Sequence, residues 1–172
     1  MIPLLEKMKK HPRVVGLCAL VLVIAAVVLW YTRPMSFSEL TPGLDRGGVH
    51  SASAAYSKSF NDAGTPRSIG GALNLDGDDP LIDELFELFS QHTYRRKLSG
   101  LFEQNSVSGH INWHLLFAGD CEMLMFDTDS ALYLSYSAGG GAAQLRCSVS
   151  DYEQLRQDVF ELLRSSDPDA EQ

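Results

Sequence analysis

The chain is short of cations, of cysteine and of any catalytic motif. Lys and Arg total 14 against 22 Asp and Glu, and the formal net charge at pH 7 is −8. Phosphate backbones are held by Lys and Arg, so this balance has no general pull toward them, and no nucleic-acid partner is expected. Three cysteines are too few for a disulfide-framed scaffold. G-x-S-x-G, S-x-x-K and H-E-x-x-H are missing, which removes the usual nucleophile and zinc-protease frames. Gly139-Gly140-Gly141 leads into a strand pattern rather than to Lys-Ser/Thr and a helix, so it reads as a hairpin and not a phosphate cradle. From these residues no catalytic, cofactor-binding or metal site is assigned, and no cofactor.

What is present is one long apolar run. Val14 to Tyr31 is an uncharged stretch of 18 residues, enough to cross a bilayer as a helix. Lys7, Lys9, Lys10 and Arg13 precede it, and Trp30 and Tyr31 lie at its far end. Cations before the span favour an N-terminus in the cytoplasm, and amphipathic rings favour the headgroup region. The run exceeds the 7–15 residues of a signal h-region, and Trp30 to Pro34 is too bulky for cleavage. Leu17 before Cys18 does not suit a lipoprotein site, so Cys18 reads as a small residue of the helix. With no ionisable group inside it, the span reads as an anchor rather than an ion pathway. The expected organisation is a cytoplasmic N-terminus (1–13), a transmembrane signal anchor (14–32), an extracytoplasmic α+β domain (33–164) and a disordered acidic tail (165–172).

Residues 33–172 carry ten Lys and Arg against 21 Asp and Glu, a net charge of −11. Such a domain is repelled by anionic headgroups and stands off the membrane. Phe37–Leu40 and Val49–Tyr56 are expected as short strands. Ile69, Gly71, Leu73 and Leu75 share one face of a further strand over Ile69–Leu75. Asp79 and Pro80 then open a helix whose Leu81, Ile82, Leu85, Phe86, Leu88 and Phe89 follow a 3.6-residue period. Arg95, Arg96 and Lys97 are read as a solvated cluster after its end.

From His110 onward the period changes to two. Ile111–Phe117, Cys121–Phe126, Ala131–Ser137 and Gln144–Val149 read as four strands. Their connectors are short enough to permit only antiparallel neighbours, so the four form a meander. Ser150 to Glu153 has a capping-box spacing before a last helix with Tyr152, Leu155, Val159, Leu162 and Leu163 on its apolar stripe. One-faced helices and one-faced strands need each other. The fold class expected is α+β: an N-terminal transmembrane helix, then a two-layer sandwich of a mainly antiparallel sheet with two helices.

Each candidate site has a plainer reading. His110 and His114 share one face of a strand, but four strand residues separate them by ~13 Å, too far to share an ion easily. Asn74, Asp76, Asp78 and Asp79 have the acid density of a calcium loop, yet Asp79 and Leu85 stand where the loop requires Gly and Glu. A turn and a helix cap explain them, and turn propensity explains Asp127 and Asp129. Cys121 and Cys147 fall on the second and fourth meander strands, ~9–10 Å apart, beyond the roughly 4.4–6.8 Å reach of a disulfide. If Leu124 and Phe126 face the core, Cys121 points away from it, while Cys147 shares the inward face of Leu145 and Val149. The exposed side of the meander, including His110, Asn112, His114, Met123 and Met125, is the expected place for binding. Methionines on a strand face are more often core, so none is entered as a site.

Phe37-Ser38-Glu39-Leu40-Thr41-Pro42-Gly43, the Asp-capped helix, the hairpin-rich stretch and the run from Cys147 to Leu155 form one layout over residues 36–164. It resembles the small extracytoplasmic α+β domains of Gram-positive (Firmicutes-type) membrane-anchored proteins of unknown function. Unlike the lipoproteins among them, this chain has no usable lipobox. The resemblance implies a bacterial, membrane-anchored accessory domain and carries no catalytic residues with it. The expected function is a single-pass, non-enzymatic binding or accessory protein at the cell envelope, with a protein or envelope component as partner. The rivals are an extracytoplasmic hydrolase with a scattered active site and a ligand- or metal-sensing domain.

Overall fold

The computed structural model describes residues 12–62, 65–98, 112–128, 131–138 and 141–169. Pro12–Tyr31 forms a single helix, α1. Its Arg13–Tyr31 stretch has a mean hydropathy of 2.8 and none of it is buried, so it is long and apolar enough to cross a membrane. The chain divides into two units, Met1–Arg33 and Pro34–Gln172.

The second unit opens with a correction. Phe37–Leu40 is one turn of helix, α2, and not a strand. Ser36 Oγ accepts from Glu39 N at 3.3 Å, and Glu39 Oε2 accepts from Ser36 N at 3.0 Å. That reciprocal capping box nucleates a turn whose Phe37 and Leu40 are buried on one side. After a 3₁₀ turn at Arg46–Gly48 come two long strands, β1 (Val49–Asp62) and β2 (Thr65–Asp76). They pair antiparallel from Ser51 opposite Asp76 to Asp62 opposite Thr65 and run further toward the hairpin tip than their apolar residues suggest.

Helix α3 (Pro80–Ser90) starts as expected. Asp79 Oδ1 accepts from Leu81 N at 2.9 Å, and Pro80 occupies the first turn. The basic run does not sit free beyond the helix: Arg95 and Arg96 belong to a three-residue edge strand, β3 (Tyr94–Arg96). The fully buried Tyr94, whose hydroxyl donates to Phe89 O at 2.8 Å, holds that strand against the helix end.

Strands β4 (Trp113–Gly119), β5 (Glu122–Thr128), β6 (Ala131–Ala138) and β7 (Gly141–Val149) make the expected antiparallel meander. The seven strands form one sheet in the order β2-β1-β4-β5-β6-β7-β3. Helix α4 (Tyr152–Ser166) follows. Its entry differs from the expected capping box: Asp151 takes the N-cap position in the left-handed region at φ 50°, with no side-chain cap. Ser150 Oγ is engaged elsewhere, accepting from Thr93 N at 2.9 Å. The helix takes in Ser165 and Ser166, and Asp167 accepts a 2.8 Å hydrogen bond from the Tyr56 hydroxyl. The start of the expected tail is therefore part of the fold.

Register shows which residues share the inner face. Leu75, Ala52, Phe117, Met123 and Tyr136 lie on one line across the sheet, and Leu73, Ala54, Leu115, Met125, Leu134 and Leu145 on the next. Helices α3 and α4 pack on this side, with Phe86 against Phe117, Phe89 against Trp113 and Phe160 against Tyr56. Met123 and Met125 are 0% exposed, whereas Leu124 and Phe126 turn to the other face. This reverses the expected orientation of β5. Register against the buried Leu115 and Phe117 places the methionines, not Leu124 and Phe126, beneath the helices. Cys121 is consequently buried as well, with its thiol directed to Ser137 O at 3.3 Å. Cys147 faces inward. Both thiols are free, and β6 lies between their strands.

Candidate functional site

The outer face of the sheet carries no helix among the described residues. Consecutive register partners place Ala72, Ala55, His114, Phe126, Tyr133 and Arg146 on one line across six strands. The Phe126 and Tyr133 rings stack with centroids 5.2 Å apart and planes at 6°. The Arg146 guanidinium carbon lies 5.4 Å from the Tyr133 ring centroid, within cation–π range. On the neighbouring line Leu116 pairs with Leu124. The result is a half-exposed apolar and aromatic patch bounded by His114 on one side and Arg146 on the other. Its chemistry suits a planar or apolar group, with a cation at one edge.

The two helices on the other side of the sheet carry a concentration of acids, while Glu122 of β5 lies on the outer face. Asp83, Glu84 and Glu87 are on α3, and Glu153, Asp158 and Glu161 are on α4. Of the residues expected on the binding face, His114 is there and exposed, Met123 and Met125 are core, and His110 lies outside the described residues. Asn112 instead donates from Nδ2 to Asp127 Oδ2 at 2.7 Å.

Asp127 is a second correction. It is not a turn residue but an inward-facing, fully buried member of β5. Asp129 lies outside the described residues. A buried carboxylate needs donors, and Asp127 has Asn112 on one oxygen and the Tyr152 hydroxyl on the other. Tyr152 also lies 2.8 Å from Thr128 O. Burial, reinforced by the hydrogen bond to Asp127 and its charge, pushes the Tyr152 phenol above its ordinary value. Next to this pair is a cleft of about 90 Å³ lined by Lys58, Asn112, Glu153, Arg156, Gln157 and Phe160. Lys58 Nζ sits 5.3 Å from the Phe160 centroid, and Arg156 donates to Glu153 at 2.7 Å. The cleft's cations are thus already partnered, and the Asp127 network reads as a lock between β5 and α4.

The remaining candidates are placed as follows. Asp79 caps α3, and its backbone N–H donates to Asp76 O at 3.0 Å, so the acidic stretch is a turn. Among the described residues no group of three His, Cys, Asp or Glu is arranged to hold a metal ion. Burial pushes the Cys147 thiol up to about 12, against the lowering influence of Arg96 and Lys97. That is the reverse of an activated nucleophile.

Phe126, Tyr133 and Arg146 carry no motif. The signal that could have found them is the strand alternation read together with the register of β5, β6 and β7. Among the described residues, fold and surface define an α+β domain on a seven-stranded antiparallel sheet with one face free of helices, and one apolar helix of membrane-spanning length. The chain matches no protein-family model, no curated protein and no solved structure.

Proposed function

We propose that this is a single-pass membrane protein of a bacterial cell envelope, with its N-terminus in the cytoplasm and residues 33–172 outside. In this reading the outer domain is a non-enzymatic binding or accessory module. Its bare sheet face receives a protein or envelope component. The row His114–Phe126–Tyr133–Arg146 carries the reading: it sets a stacked aromatic pair and a cation on a sheet face that no helix covers among the described residues. The cations before α1 support the orientation.

The test is photocrosslinking of the full-length protein in its native membrane, with the reactive residue placed at Tyr133 or, as comparison, at Glu161 on α4. A dominant adduct from position 133, weakened several-fold by Phe126→Ala, is the expected result. Equal adducts from both positions would refute the assignment of this face. Protease added to intact cells should cut within residues 33–172, and protection of that segment would overturn the topology.

A further inference from the structure

The two edges of the sheet are built in opposite ways. At one edge, β3 is three residues long and carries Arg95 and Arg96, followed by Lys97. Tyr94 is also bridged on its outer side by Met35, with backbone bonds of 2.9 Å in both directions. Short length, cations and cover are the devices that keep an edge from recruiting another strand. At the other edge, β2 is twelve residues long and pairs only with β1 among the described residues. From Ser68 to Leu75 it has no charge and no proline. Its unused N–H and C=O groups specify what can cover it: an extended strand.

The residue pattern of that edge is self-complementary. Read outward from Gly71, the positions match in pairs: Gly70 with Ala72, Ile69 with Leu73, and Ser68 with Asn74. Ser68, Gly70, Ala72 and Asn74 are exposed on the outer face, while Ile69, Gly71 and Leu73 are half-buried at the border of the core. An antiparallel strand laid on with a two-fold axis through Gly71 sets Ile69 against Leu73 of its partner on the inner face. On the outer face it sets Ser68 against Asn74. Apolar meets apolar and polar meets polar, as an isologous contact requires. No side chain of Ser68–Leu75 itself carries a charge, so the strand contact adds no repulsion of its own between two strongly acidic domains.

We propose that β2 is a homodimerisation edge: two copies of this chain pair β2 to β2 about Gly71, joining their sheets into one of fourteen strands. This holds independently of what the open face binds. The Asp167 carboxylate, which would lie 1.9 Å from a Cβ on Gly71, sits over the axis position in each copy. Two such carboxylates repel, so the association tightens as salt screens them. The contact is small beside the roughly 1,600 Å² of a standard stable interface, so covalent trapping detects it better than purification does.

The experiment uses the full-length chain with Cys18→Ala, reconstituted in phosphatidylcholine vesicles. One preparation carries Ser68→Cys and the other Asn74→Cys. Both positions are exposed, while Cys121 and Cys147 stay buried. In the proposed register residue 68 faces residue 74 of the partner, whereas two copies of residue 68 are ~20 Å apart. Mild oxidation of the mixture should give at least ten-fold more disulfide-linked dimer than either variant alone. Adding the exposed-edge change Ala72→Lys to both chains should return the yield to that of the single variants. Continued protection of Cys121 and Cys147 from thiol reagents confirms that the variants are folded. No excess linkage in the mixture, equal linkage in the single variants, or linkage that survives Ala72→Lys would overturn the proposal.

Discussion

The Tyr152 hydroxyl, on the first turn of α4, donates to the carboxylate of Asp127 at the end of β5. This bond joins the last helix to the middle of the sheet, and its acceptor is a wholly buried charge. Removing the donor leaves one oxygen of Asp127 with a partner fewer in a site that water cannot reach. Tyr152→Phe should therefore lower the stability of the outer domain by about 1–3 kcal/mol, read as a shift of the urea midpoint at constant slope. An unchanged midpoint would mean that the network does not lock the helix.

Alkali should unfold the domain through the same interior. Burial raises the Cys147 thiol from 9.0 to about 12, and burial together with the bond to Asp167 raises Tyr56 from 10.0 to about 12. Each folded value lies above the unfolded one, so the folded state holds the proton more tightly. That stability is complete below pH 9 and is lost as pH rises toward 12. At ~1.4 kcal/mol for each unit of difference, the loss by pH 11 is on the order of a few kcal/mol. Cys147→Ala should flatten the portion that begins near pH 9. A stability that does not fall between pH 9 and 11 would contradict the burial of these groups.

The thiols offer a direct check on strand order. Because β6 separates β5, which Cys121 immediately precedes, from β7, which carries Cys147, oxidising conditions should leave both free. Mass spectrometry after alkylation should find them unmodified in the folded protein and both labelled in urea. An internal disulfide would require a different strand order.

Gly71 is explained by the far end of the chain. A Cβ there would meet the Asp167 carboxylate at 1.9 Å and the Tyr56 hydroxyl at 2.8 Å. Gly71→Ala should displace Asp167 and cost about 1 kcal/mol, and Tyr56→Phe should cost about the same through the identical bond. The double variant should then lose less than the two single losses combined. Additive losses would show that the two residues act separately.

The two helix starts also make separable predictions. Asp79→Ala removes a real N-cap and should cost about 1 kcal/mol. Ser150→Ala removes no cap of α4, because its oxygen serves Thr93. Its cost should be the smaller in thermal denaturation, and the opposite order would restore the capping box.

Much of the fold was legible from local chemistry. Asp79-Pro80 followed by a 3.6-residue apolar stripe specifies α3, and the shift to a period of two with short connectors specifies the meander. Where local signals competed, the reading failed. Phe37 and Leu40 are three residues apart, a helical and not a strand spacing, and the reciprocal bonds between Ser36 and Glu39 fix the turn. Ser150 and Glu153 have the spacing of a capping box too, but a neighbouring backbone donor claimed the serine. Of the candidate binding face, His114 was legible, because it alternates with Trp113 and Leu115. Its neighbours Phe126, Tyr133 and Arg146 come from three further strands, and no spacing along one strand brings them together.

By itself, then, the sequence determined the elements whose cause is local: the apolar helix α1, the capped α3, the alternating strands and the acidic balance of the domain. Tertiary structure alone decided which face of β5 is inside. Met123 to Phe126 is apolar on both faces, so that run is satisfied either way up, and Glu122 at the strand's start is the one residue of it that marks the outer face. Only registration against Leu115 and Phe117 beneath two helices sends Met123 and Met125 inward and leaves Phe126 to stack on Tyr133. The same registration buries Asp127, a residue whose local chemistry suits a turn, because Asn112 and Tyr152 arrive from distant parts of the chain to satisfy it.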